Sequence, residues 1–309
     1  MNYHTLADFR TEAGPMLDDL LSRSVAGLIA SGIVDLQTVA VDGMRLQAAA
    51  SGTSFRSGDH LDELSEAAAT TVRQLRAELD DDPTAASRRV KARRLSAAED
   101  RARRLEEARQ AYGEIEERHK KTWGAHKPAR ASTTDAQARF MKMSDGGFRP
   151  AYNVQIKTAA AGAHIVGISV TARGTDHGEL GPALREVEER YGLRPRQMLA
   201  DRGFERGADV EMLHAQGIDL FSPPRRTKDG PVASRPSDGP GMIAWRRRMA
   251  SVGGQAVYRR RIATERPHAD MHNRGLRRLI VRGLEKAKAV VLWHVHAYNF
   301  LQIMRLDLV

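Results

Sequence analysis

Between about residues 60 and 123 the chain changes character and reads as two long helices set inside a series of strands. Leu61, Leu64, Ala68, Val72, Leu75 and Leu79 step by three and four, as one face of a helix requires. Asp80-Asp81-Asp82-Pro83 breaks the pattern, because proline cannot continue a helix interior. Ala98, Ala102, Leu105, Ala108, Tyr112 and Ile115 then step the same way among dense Arg and Glu. The spacing predicts an antiparallel helical hairpin with a narrow apolar seam, inserted in a larger domain because strands resume after it. Its charges read as a solvated face, with DNA or partner contact as the second reading.

Residues 5–31 carry Leu6, Phe9, Met16, Leu17, Leu20, Leu21, Val25, Leu28 and Ile29 at helical spacing. A strand is expected at 36–41, then Asp42-Gly43 and a short strand at 44–48. Residues 124–136 form a linker, and Phe148 to Val170 reads as a β-hairpin turning near Ala161-Gly162. A helix at 177–191, a strand at 196–200 ending in Asp201, a helix at 207–215 and the strand Ile218–Phe221 follow. A basic, Gly/Pro-rich connection reaches about 240, and one long helix is expected over 265–306. The fold class is therefore α/β, a mixed sheet flanked by helices. Three regions are expected: an N-terminal helix and first strands (1–59), the helical insert and linker (60–135), and the rest of the domain with its basic C-terminal helix (136–309).

Asp42 and Asp201 each end an apolar run, and Glu265 follows Tyr258-Arg259-Arg260-Arg261 at the start of a helical stretch. Two strand-end aspartates and a late glutamate supply the hard oxygen donors of a two-metal phosphoryl-transfer site. Singly, each has a plainer role, as a turn aspartate before glycine or a first-turn residue complementing the helix dipole. Charge points the same way: Phe221 to Lys288 holds 17 Lys or Arg against five Asp or Glu, while the rest of the chain holds 32 against 34. A concentrated basic segment suits a polyanion such as nucleic acid.

Other chemistries are disfavoured. With no cysteine the chain has neither disulfides nor thiolate metal sites. His268 and His272 have the spacing of a zinc pair, but Ala269 stands where a zinc hydrolase carries glutamate. His294 and His296 sit in an apolar helix and read as core. Neither a phosphate-cradling glycine loop nor a Gly-x-Ser-x-Gly elbow occurs. The first residues do not read as a signal peptide and no run suits a membrane span, so a cytoplasmic, nucleoid-associated location is expected.

Four segments together resemble the DDE class of bacterial insertion-sequence transposases: Val41-Asp42-Gly43-Met44-Arg45, Asp145 to Gln155, Leu199-Ala200-Asp201-Arg202-Gly203-Phe204, and Tyr258 to Glu265. In one branch the third acid lies in Tyr-x2-Arg-x3-Glu-x6-Lys; Tyr258, Arg261 and Glu265 match, and His272 stands in place of the lysine. The resemblance implies a ribonuclease-H-like catalytic domain that cuts and rejoins DNA during transposition. Asp42, Asp201 and Glu265 would be its catalytic residues and bind Mg²⁺, with Mn²⁺ able to substitute. Tyr258, Arg261, Arg266, His272 and Arg274 would contact DNA; Asn153 and Gln155, which alternate on one face of their strand, read as scaffold. It further implies double-stranded DNA (element ends and target) as partner and a homo-oligomer on that DNA. Helices before the first catalytic strand are also implied, and by that measure the chain reads as N-terminally short. The rival expectation is a catalytically impaired remnant that binds DNA or a full-length partner.

Overall fold

The computed structural model describes residues 3–80, 85–123, 128–224, 226–227, 230–231 and 236–306. The break expected at Asp81-Asp82-Pro83 and residues 124–127 of the expected linker lie outside these. The chain divides into two compact units: Met1–Leu46, Tyr152–Leu279 and Leu284–Val309 form one, and Gln47–Ala151 with Ile280–Gly283 the other.

In the first unit, strands β1 (Thr38–Gln47), β5 (Phe148–Ala159), β6 (Ile165–Thr171), β7 (Gln197–Ala200) and β8 (Asp219–Phe221) lie in the order β6-β5-β1-β7-β8. The pair β5/β6 is antiparallel, with a register shift at Lys157/Thr158. β1/β7 and β7/β8 are parallel. Parallel strands covered on both faces read as unbroken apolar runs. Val39, Ala40, Val41, Met198, Leu199 and Ala200 are all buried accordingly. Helices α5 (Leu180–Tyr191), α6 (Gly207–Ala215) and α7 (Pro240–Ala250) share one apolar cluster with these strands, built on Leu184, Phe204, Leu213, Trp245 and Met249. Helix α10 (Leu284–Met304) packs on β6 and on α2 (Gly14–Ala30), which α1 (Tyr3–Glu12) precedes.

Three expectations need correction. The two strands expected around Asp42-Gly43 are one, because inward residues continue through Met44 and Leu46 without a turn. The single helix expected over residues 5–31 is two, α1 and α2, which part at Ala13 ahead of Gly14-Pro15. The single helix expected over 265–306 is also two. Helix α9 (Glu265–Asn273) stops before Gly275, whose φ of +93° terminates a helix, and Gly283 at +86° precedes α10. Leu276 and Leu279 between them are buried, which holds the interruption in place. The span after residue 240, for which no element was expected, forms α7 and α8 (Val252–Arg259), with Pro240 in the first turn of α7. Glu211 Oε2 and Oε1 accept from Gly241 N and Met242 N at 2.9 Å each, satisfying the opening amides of α7.

The second unit is built on α3 (Gly58–Asp80) and α4 (Ala85–Trp123), which pack together along Leu61, Ala68, Leu105, Ala108 and Ile115. A short antiparallel pair, β2 (Phe55–Arg56) with β3 (Ala131–Ser132), joins them, and β4 (Arg139–Lys142) pairs with the first residues of β5. Gly58 is required by close packing: a Cβ there would lie 2.9 Å from the Tyr112 ring.

Candidate active site

The register of two parallel strands builds the centre of the site. Val41 lies opposite Ala200, so Asp42, midway along β1, stands beside Asp201, which follows the end of β7, on strands about 4.8 Å apart. Asp201 turns the chain into a short 3₁₀ helix, Arg202–Phe204, its Oδ1 accepting from Arg202 N at 2.7 Å. Ser222 Oγ donates to the Asp201 carbonyl at 3.0 Å and ties this turn to the end of β8.

Asp42 is half-buried and well bonded. Its Oδ1 accepts from Gly43 N at 2.9 Å, and its Oδ2 lies 2.9 Å from Arg261 Nη1 and 3.2 Å from Thr264 Oγ1. Thr264 has one hydroxyl proton, which it divides between Asp42 and the Arg261 carbonyl at 2.9 Å. Arg261 lies in a 3₁₀ turn, Arg260–Thr264, that runs into α9. Its Nη2 is 3.8 Å from Glu265 Oε1, so one guanidinium spans the first and third acids. It also lies 5.9 Å from the Tyr258 ring centre. Burial works against the Arg261 charge, but Asp42, Tyr258 and Asp201 outweigh it and hold its pKa above the ordinary value. Burial pushes the Tyr258 hydroxyl up, so it stays protonated and able to donate. His268 Nδ1 is 4.0 Å from Asp42 Oδ2; burial pushes that ring's pKa down, and among the described residues its buried Nε2 has no hydrogen-bond partner.

Residues 117–300 match the family described as transposase DDE domain. The chain belongs to that family. No curated protein and no solved structure matches it. Membership makes DNA the substrate class, and DDE transposases generally use divalent metal ions. The strand order and flanking helices are those of a ribonuclease-H-like DDE domain. The matched span includes Asp201 and Glu265 but begins after Asp42, which enters through its register with β7.

The oxygen donors suit a hard divalent cation, and Asp42 already draws a cationic group, the Arg261 guanidinium. Glu265 is 65 % exposed, and among the described residues no three His, Cys, Asp or Glu side chains stand close enough to hold a metal ion. Of the expected DNA contacts, Arg266 and Arg274 are exposed. His272 is partly buried, and burial, with Arg277, pushes its pKa down.

A further carboxylate of this transposase escaped the sequence reading. Asp176 Oδ1 accepts from Asn153 Nδ2 and Gln155 Nε2 at 2.7 Å each, and Arg45 Nη2 lies 3.3 Å from its Oδ2. It sits near Gly43 and Gly203, which follow Asp42 and Asp201 in the chain: a Cβ on Gly43 would overlap Asp176 Oδ1, and one on Gly203 would lie 3.7 Å from its Oδ2. The available signal was the Asn153-x-Gln155 alternation, which puts two amides on one face of β5. Among the described residues no helix is long and apolar enough to cross a membrane.

Proposed function

We propose that this transposase cleaves double-stranded DNA at the ends of an insertion sequence and transfers the freed strand to a target, with Asp42, Asp201 and Glu265 as catalytic, metal-binding carboxylates. The observation that carries the reading is the Val41/Ala200 register, which sets the two aspartates side by side with Arg261 reaching from one of them toward Glu265. A bound divalent cation, Mg²⁺ with Mn²⁺ as substitute, supplies an activated oxygen nucleophile at neutral pH and charge stabilisation at the leaving oxygen. The chain's own residues bind and orient. Once Asp42 is engaged elsewhere, the Arg261 fork is free to grip a phosphate bidentately, and Tyr258 donates a hydrogen bond beside it. Arg266 and Arg274 add charge along the DNA, and His272 adds a hydrogen bond. In the first step water oxygen bonds to phosphorus, the P–O3′ bond breaks, and the 3′ oxygen takes a proton. In the second, that 3′-hydroxyl loses its proton, attacks a target phosphodiester and displaces the target's 3′ oxygen. Holding two ends at once calls for a homo-oligomer on the DNA, working at the chromosome in the cytoplasm.

The test is a labelled duplex carrying the candidate element ends, incubated with Mg²⁺. Nicks that leave 3′-hydroxyls, followed by joined products, are expected from the wild type and not from Asp201→Ala. Neither product from the wild type under Mg²⁺ or Mn²⁺ would defeat the reading. One observation favours a binding-only remnant as second reading: Asp42 Oδ2 is already shared by Arg261 and Thr264. That reading predicts DNA binding without cleavage and an Asp42→Ala variant indistinguishable from wild type.

A further inference from the structure

The helical unit contains a cleft of about 220 Å³ whose charge is left unbalanced. Arg101 and Arg104, one turn apart on α4, line it above the buried Leu105. Thr133 and Thr134, in the loop after β3, and Arg282 complete the lining with Leu64. No carboxylate lines the cleft, and Arg101, Arg104 and Arg282 make no ion pair or hydrogen bond among the described residues. The contrast with their neighbours on the hairpin is direct. Arg76 pairs with Glu99, Arg103 with Asp100, and Arg109 with Asp62. The loop is held in position: Thr133 N and Oγ1 both donate to the Ser54 carbonyl, at 3.0 and 3.2 Å, and Thr134 N donates to Ser132 Oγ at 3.2 Å. The Thr134 hydroxyl is left without a partner among the described residues.

Three guanidiniums that pair with no carboxylate among the described residues, lining one polar cleft with an anchored threonine loop, form a receptor for phosphate oxygens. We propose that this cleft binds the sugar-phosphate backbone of DNA, as a second contact surface carried by the helical unit. The proposal rests on the reading that the chain acts on DNA, and it is independent of the carboxylate chemistry. Backbone contacts of this kind position a duplex without reading its sequence.

The test measures affinity of the full chain for a labelled duplex by fluorescence anisotropy, without divalent metal, across a range of salt concentrations. Each lost phosphate contact lowers the slope of log affinity against log salt by about 0.9. The combined variant Arg101→Ala, Arg104→Ala, Arg282→Ala should lower it by about 2–3 and weaken binding at least about tenfold. The combined variant Arg76→Ala, Arg103→Ala, Arg109→Ala removes equal charge from paired positions and should change the slope by less than about 1. Thermal melts establish that both variants fold. If the cleft variant falls no further than the paired control, the proposal is overturned while DNA binding elsewhere stands. Wild type that fails to bind DNA would overturn the proposal and the reading beneath it. Titration with inorganic phosphate separates the two sources of phosphate. Binding of the free ion, lost in the cleft variant while DNA affinity holds, would make this a small-anion site and also overturn the proposal.

Discussion

Gly43 follows the first carboxylate and has no room for a side chain: a Cβ would overlap Asp176 Oδ1 and lie 3.0 Å from Gln155 Nε2. Gly43→Ala should therefore push Asp176 off its amides and tilt Asp42, costing about 1–3 kcal/mol of stability. We expect DNA cleavage by that variant to fall about tenfold or more at temperatures where melting shows it folded. Unchanged cleavage would remove Asp176 from the account. Arg261 gives a prediction with two opposite signs. Arg261→Ala removes the cation on Asp42, so Mn²⁺ binding without DNA should tighten by calorimetry, while cleavage should drop because a phosphate contact is gone. Tighter metal binding with undiminished cleavage would restrict Arg261 to a structural role. Asp42 and Asp201 were legible because apolar runs end on them. Asp176 was not, since it lies in the loop before α5 and its importance comes from tertiary contact with β5.

Among the elements, α10 guards the edge of the sheet. Asn299 Oδ1 accepts from Ile165 N at 2.9 Å and its Nδ2 donates to Ile165 O at 2.7 Å, closing the free edge of β6 with buried side-chain bonds. Asn299→Leu strands both backbone groups, and denaturant unfolding should show a loss of about 2–5 kcal/mol. A second junction ties α2, α5 and α10: Asp18 takes Arg190 Nη2 at 2.6 Å and Lys288 Nζ at 2.9 Å. Burial alone would raise the Asp18 pKa, but hydrogen bonds and charge from Lys288 and Arg190 outweigh it and hold the carboxyl below its usual 3.8. A carboxyl lowered in the folded state adds stability that is present above 3.8 and lost as pH falls through the folded value. Asp18→Asn should melt several degrees below wild type at neutral pH, and the gap should close as pH drops below 3.8. A gap independent of pH would mean that packing, not charge, holds the junction. Most elements were legible from periodicity. The helices over 240–259 were not, because few apolar anchors, chiefly Trp245 and Met249, sit among Arg246, Arg247 and Arg248. The break after α9 was hidden for a similar reason: Leu276 and Leu279 keep an apolar rhythm through a non-helical turn.

At the scale of the molecule, the basic segment is less free than composition suggests. Arg248 pairs with Asp219, Arg246 with Asp238 and Arg261 with Asp42, so part of its charge stabilises the fold. Charge counting therefore identified a polyanionic partner but not which arginines remain to meet it. Family membership supplies the substrate class, and the carboxylates carry the proposed chemistry. The most direct test is the single-turnover rate of Mg²⁺-dependent DNA cleavage in wild type, Asp42→Asn, Asp201→Asn and the double variant. Carboxylates acting as one unit predict losses of at least about a thousandfold in each single variant and almost no further loss in the double. Multiplicative losses, or a single variant that cuts like wild type, would contradict a shared catalytic centre formed by the middle of β1 and the end of β7.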